Sequence, residues 1–121
     1  MSYIEGFVIP VPQGKKDAYR DSAKEAAEMF IEHGAQRLVE CWGDDVPHGK
    51  VTDFYRAVDA SEDEGIVFSW IVWPSKEVRD AGTEKVMADP RMQQQGSNAP
   101  FDMKRLIYGG FELMLDSGET V

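Results

Sequence analysis

Ile66-Val67-Phe68-Ser69-Trp70-Ile71-Val72-Trp73 is the stretch that decides the fold. Eight residues, β-branched or aromatic apart from Ser69 and closed by Pro74, read as a strand. Alternation puts Ile66, Phe68, Trp70 and Val72 on one side and Val67, Ile71 and Trp73 on the other, so this strand is apolar on both faces. A sheet with one wet face alternates cleanly; a strand that does not is covered on both sides.

Working outward, Tyr3 to Pro10 alternates around Tyr3, Ile4, Phe7, Val8 and Ile9 and leaves through Pro10-Val11-Pro12, which predicts a first strand. From Lys15 to about His33, Tyr19, Ala23, Ala26, Ala27 and Phe30 recur at helical spacing, with Arg20, Lys24, Glu28 and Glu32 away from that stripe. Gly34 stops this helix by taking the left-handed cap. Gln36 to Trp42 predicts a second strand, and Gly43 to Gly49 carries too many turn formers to continue it. Val51 to Asp63 is ambiguous: Asp53 to Val58 fits a short helix capped by Thr52 or Asp53, and Ser61-Glu62-Asp63-Glu64-Gly65 reads as a solvated turn. Ser75 is the expected cap of a second long helix, with Glu77 complementing its dipole. Asp89-Pro90 ends that helix. Gln93 to Pro100 reads as a polar loop, and Arg105 to Leu115 as the last strand, where Gly109-Gly110 marks a bulge or a close backbone approach.

The order β-α-β-β-α-β is the α+β, ferredoxin-like arrangement: a four-stranded antiparallel sheet with both helices on one face. The last strand is also apolar on both sides, with Ile107, Phe111, Leu113 and Leu115 against Leu106, Tyr108 and Met114. The second sheet face therefore needs a cover, and a second copy packing sheet to sheet about a twofold axis supplies it. Residues 1–121 are read as a single domain, since a chain of 121 residues buries roughly two-thirds of its extended surface without a staple.

Charge narrows the partners. Thirteen Lys and Arg against 22 Asp and Glu give a net charge of −9 and a pI near 4.6, which argues against nucleic acid or anionic membrane as partners. The apolar runs fall short of a membrane span, and Met1 to Glu5 lacks a basic region followed by an apolar one. With one cysteine, Cys41, unable to form an internal bridge, the expected location is the cytoplasm.

The chemistry-bearing residues are carboxylates and aromatics on strands. Glu5 shares the Tyr3-Phe7-Ile9 side of the first strand, Glu40 the Leu38-Trp42 side of the second, and Glu112 the Tyr108-Met114 side of the last. Because the first and last strands are neighbours in this topology, Glu5 and Glu112 share a face unless a glycine bulge shifts the register. A carboxylate inside an apolar barrel acquires a raised pKa, so Glu112 or Glu5 would serve as general base, Tyr108 as hydrogen-bond donor and Arg105 as anion anchor. The competing reading makes these glutamates structural partners of Arg37, Arg91 or Arg105. Trp42, Trp70 and Trp73 are candidate walls of an apolar ligand pocket, against the reading that they fill a core and an interface. Lys76 to Asp80, including Arg79, reads as a solvated helix face. Metal ligation is not expected: Cys41, His33, His48, Asp44 and Asp45 lack zinc spacing, and Cys41 reads as inert packing. Neither His falls where a haem ligand would, so no cofactor is expected.

Val39-Glu40-Cys41-Trp42, Val67 to Ile71 with Pro74 to Asp80, Met87-Ala88-Asp89-Pro90-Arg91-Met92, and Pro100-Phe101-Asp102 with Lys104 to Glu112 resemble the bacterial YbaA-like family of unknown function. Met103 stands where that pattern has Gly. The resemblance implies the dimeric α/β-barrel superfamily, which also holds cofactor-independent monooxygenases, small-molecule isomerases and haem enzymes of the chlorite dismutase kind. None of their catalytic residues has a matching motif here. The expectation is a homodimer binding a small, partly apolar organic molecule, as an oxygenase or isomerase without cofactor; the alternative is a non-catalytic structural or regulatory interaction module.

Overall fold

The computed structural model describes residues 2–118, so both limits of the single-domain reading lie outside the described residues. Its four-stranded sheet has the order β2-β3-β1-β4, formed by β1 (Tyr3–Pro12), β2 (Arg37–Trp42), β3 (Glu64–Trp73) and β4 (Ile107–Glu112). All three pairings are antiparallel. The helices are α1 (Lys16–Glu32), the short α2 (Phe54–Ala57), α3 (Lys76–Ala88) and α4 (Pro90–Ser97). This is the ferredoxin-like α+β fold read from the sequence.

The register sorts the two faces. Tyr3 lies opposite both Trp73 and Glu112, and Glu40 opposite Ser69, so Tyr3, Glu5, Phe7 and Ile9 share a side with Trp73, Ile71, Ser69 and Val67. The helices pack on this side. Trp73, fully buried, meets Phe30 of α1 edge to face with ring centroids 6.0 Å apart, in a cluster with Tyr3, Met29, Ala35, Ile71 and Val86. A second cluster gathers Ile9, Val11, Tyr19 and Val67 nearer the other end.

Local signals explain most boundaries. Gly34 takes φ 111° after α1, letting the Ala35 N–H donate to Phe30 O at 3.0 Å. Ser75 caps α3 by accepting from the Val78 N–H at 3.1 Å. The ambiguous stretch resolves into α2, capped by Asp53, whose carboxylate accepts from the Arg56 N–H at 2.8 Å.

Four expectations change. Gln93 to Ser97 is helical, not loop: Asp89 ends α3 and at once caps α4, accepting from the Arg91 N–H, while Pro90 at the first helical position has no N–H to lose. β4 ends at Glu112 because its partner β1 begins at Tyr3, the residue opposite it. Gly109-Gly110 makes no bulge, since the register runs unbroken from Tyr3↔Glu112 to Val8↔Ile107; the close approach is real, because a Cβ on Gly110 would fall on the Tyr3 hydroxyl. Glu64 and Gly65 are not part of a solvated turn but the buried start of β3.

The helix-free face is covered in part by its own chain. The β2–β3 excursion lays Val46 and Phe54 over Ile66, and Phe54 meets Phe68 edge to face at 6.1 Å. Beyond it, Ile4, Val8, Trp70 and Phe111 line an apolar concavity of about 940 Å³. Phe111 is 60% exposed and Met114 94%.

Candidate functional site

α1 carries two adjacent rows of side chains at four-residue spacing. Tyr19, Ala23 and Ala27 form one, and Lys16, Arg20 and Lys24 the other. The alanines are too short to fill the gap to β2, and a groove of about 450 Å³ remains between the helix and Leu38, Glu40 and Trp42 of that edge strand. The Tyr19 hydroxyl donates to Glu40 Oε1 at 2.7 Å, and Ser69 lies opposite Glu40 in the register. The Lys16 ammonium sits 5.5 Å from the centre of the Trp42 ring.

Glu40 is an exposed residue of an edge strand, and its carboxyl is tied to Tyr19 by a part-buried hydrogen bond in the groove. Burial of that carboxyl raises its pKa, against the lowering effect of hydrogen bonds from Tyr19 and Ser69. Burial also drives the Tyr19 phenol far up, reinforced by the charge and hydrogen bond of Glu40. The pair therefore keeps the phenolic proton, and the carboxyl takes up a proton more readily than an ordinary glutamate.

Glu64, at the first position of β3, is the opposite case. Arg105 grips it with two parallel hydrogen bonds, each 2.7 Å, and also donates to Asp59 O and Asp102 Oδ2, both at 2.8 Å. This hydrogen bonding outweighs desolvation and holds the Glu64 pKa down to about 2. Four of the roughly five guanidinium N–H groups are thereby engaged, so Arg105 meets protein acceptors where an anion anchor was expected.

Glu5, Tyr108 and Glu112 do share the helix-side face, as the register requires. They do not form one cluster. Glu5 is buried and faces Arg79, whose Nη1 lies 3.4 Å from Oε2 and whose Nη2 lies 3.4 Å from the Tyr3 hydroxyl. Arg79 is thus no solvated helix residue: its guanidinium lies over the Tyr3 ring, 4.9 Å from its centre. Tyr108 stacks on Phe7 at 6.1 Å but is itself exposed. Glu112 is exposed, as are all but one of the residues of edge strand β4.

The three tryptophans separate. Trp42 walls the α1–β2 groove, Trp70 lines the helix-free concavity, and Trp73 belongs to the core. Cys41, expected to pack, is exposed on β2. His48 stacks on Tyr55 at 4.3 Å. Among the described residues one trio, Glu32, His33 and Asp89, brings ligand-type atoms within 4.8 Å of one another. A cation is already there: Arg91 reaches Asp89 at 2.7 Å and Glu32 at 2.8 Å.

Fold and groove together define a ferredoxin-like α+β protein with a ligand-sized recess beneath its first helix. The chain belongs to the family described as protein of unknown function DUF1428, whose model matches residues 2–103. It is 61% identical over 116 residues to the uncharacterized protein YbaA of Escherichia coli K12, covering 96% of this chain and 99% of that protein; the Shigella flexneri YbaA matches equally. Among solved structures, an uncharacterized NIPSNAP domain protein from Burkholderia xenovorans aligns with TM-score 0.62 at 17% identity, over 97% of this chain and 99% of that one. A Nitrosomonas europaea protein, an antibiotic biosynthesis monooxygenase by provisional assignment, aligns with TM-score 0.58 at 12% identity, over 97% and 94%. At such identities the likeness is one of fold. No helix among the described residues is long and apolar enough to cross a membrane.

Proposed function

We propose that the protein is a cytoplasmic homodimer, paired through its helix-free sheet faces, in which each protomer binds a small, partly apolar organic molecule in the groove between α1 and β2. The observation that carries this reading is the Tyr19–Glu40 hydrogen bond: a carboxyl with a raised pKa faces an apolar recess and has no guanidinium or ammonium bonded to it among the described residues. The reaction class that suits such a group is isomerisation by proton transfer. Glu40 takes a proton from a carbon acid and returns it to another carbon, with Tyr19 holding the carboxylate in place, so no oxidant is consumed. Cofactor-independent oxygenation is the other class, and its support is the provisional assignment of the Nitrosomonas neighbour.

Pairing is supported by the 940 Å³ apolar concavity and by Phe111 and Met114 standing exposed beside it. A stable interface of this kind buries on the order of 2,000 Å² in total. Native mass spectrometry of protein purified from its own host tests both parts. The expected result is a dimer carrying a retained small molecule that Glu40→Ala protein lacks, and a monomer for Phe111→Glu. Empty wild-type protein that also fails to bind any member of a fragment set in the groove would leave the non-catalytic interaction module as the better account.

A further inference from the structure

We infer that the α1–β2 groove takes an aromatic carboxylic acid bearing a ring hydroxyl, with its carboxylate on the basic row of α1, its ring against the apolar lining beside Trp42, and its hydroxyl at the Glu40–Tyr19 pair. The inference rests on that groove being the ligand site proposed above. Three features converge on this class.

Charge is the first. The chain carries a net charge of −9, yet the groove is lined by three cations, Lys16, Arg20 and Lys24, against one carboxylate. A local field opposite in sign to that of the whole protein selects an anion and repels an amine. Arg20 shares its charge with Asp17 at 3.7 Å on the exposed helix surface; neither Lys16 nor Lys24 has an ion-pair partner among the described residues, and Lys16 is engaged over the Trp42 ring. Lys24 is therefore the cation free to meet a ligand carboxylate.

Shape is the second. Ala23, Ala27, Leu38, Val67 and the Trp42 ring supply the apolar lining, short side chains beside one aromatic surface, which suits a planar ring. A volume of about 450 Å³ lies in the lower part of the range for small-molecule sites and suits one or two rings.

Hydrogen-bonding capacity is the third. Glu40 accepts one hydrogen bond from the Tyr19 hydroxyl and a lesser one from Ser69, and a carboxylate has lone pairs for a further donor beyond these two. Tyr19, which holds Glu40, lies five residues along α1 from Lys24, and an acceptor of this kind is matched by a hydroxyl donor on the ring. An acid without that hydroxyl strands the acceptor and binds less well.

The test uses isotope-labelled protein and four probes on one scaffold: para-hydroxyphenylacetate, phenylacetate, para-cresol and tyramine. Amide shifts along α1 and β2 report the groove. The expected order is para-hydroxyphenylacetate tightest, about tenfold over para-cresol and tyramine and about fivefold over phenylacetate. Lys24→Gln weakens the acid about threefold and leaves para-cresol unchanged. Glu40→Ala removes the advantage of para-hydroxyphenylacetate over phenylacetate, and a native spectrum for that variant shows that it folds. Para-cresol or tyramine binding in the groove as tightly as the acid overturns the inference and leaves the groove reading intact. Absence of groove shifts with all four probes overturns both.

Discussion

Glu40 and Glu64 lie on adjacent strands of one sheet, and both accept short hydrogen bonds, yet their pKa values move in opposite directions. The difference is in the donor. Glu64 faces a guanidinium that supplies charge and two parallel N–H groups, so its burial is compensated within the protein. Glu40 faces the phenol of Tyr19 and the hydroxyl of Ser69, which supply hydrogen bonds and no charge, at the edge of the α1–β2 groove. A compensated carboxylate belongs to the scaffold; one whose burial is not offset by a cation, beside a recess, is the kind of group the proposed ligand would meet.

The largest expected effect comes from breaking the compensated pair. Arg105→Met leaves Glu64 buried without its cation and also releases Asp59 O and Asp102, and the melting temperature at neutral pH should fall by an amount of order ten degrees. A melting temperature within a degree or so of wild type would mean that Glu64 is compensated by something other than Arg105. Next comes the acid limb of the stability profile. The Glu64 pKa is lowered from 4.5 to about 2, so its contribution is present above about pH 4.5 and is lost as pH falls through about 2. Glu64→Gln should be less stable than wild type at neutral pH, with the gap closing between about pH 5 and 2 in chemical-denaturation series. The smallest effect sharpens the contrast because its sign is reversed. With a raised pKa, Glu40 contributes most below its unfolded value and loses that contribution as pH rises through the folded one. Glu40→Gln should match wild type near pH 4 and be slightly more stable at neutral pH, the gain being small because the residue is exposed to solvent screening, while the preference for a hydroxylated ligand is lost. A Glu40→Gln protein that is destabilised at neutral pH and relatively recovered in acid would show that Glu40 behaves as Glu64 does.

The sheet was legible because its determinants are local. Ile66 to Trp73 announces a central strand apolar on both faces, Gly34 and Ser75 announce helix ends, and the crossover order follows from the sequence of elements. What escaped was whatever depends on residues far apart in the chain. Asp89-Pro90 stops one helix and starts another in a single step, and a local reading sees only the stop. Arg79 looks solvated until α3 is laid across β1, where it meets Glu5, 74 positions earlier. Glu64 sits among turn formers, and its burial depends on Arg105, 41 positions later. The groove lay half in view. Glu40 stood out as a strand carboxylate beside Trp42, whereas Tyr19 looked like one more member of an apolar helix stripe. Spacing did hold a usable signal: small residues at 23 and 27 beside basic residues at 16, 20 and 24, in a chain this acidic, are an uneven placement of charge and volume.

The position of β1 at the heart of the sheet bears on how the protein is made. Tyr3 pairs with Trp73 on one edge and with Glu112 on the other. During synthesis β1, α1, β2 and β3 can assemble as soon as they leave the ribosome, but the second edge of β1 waits for a strand roughly a hundred residues downstream. Until then Ile4, Gly6 and Val8 belong to an open, apolar strand edge, the kind that captures other nascent chains. Translation that pauses before Ile107 would leave a three-stranded product, sticky and short of its final strand, so the rate at which the last stretch is delivered bears on yield as well as on sequence.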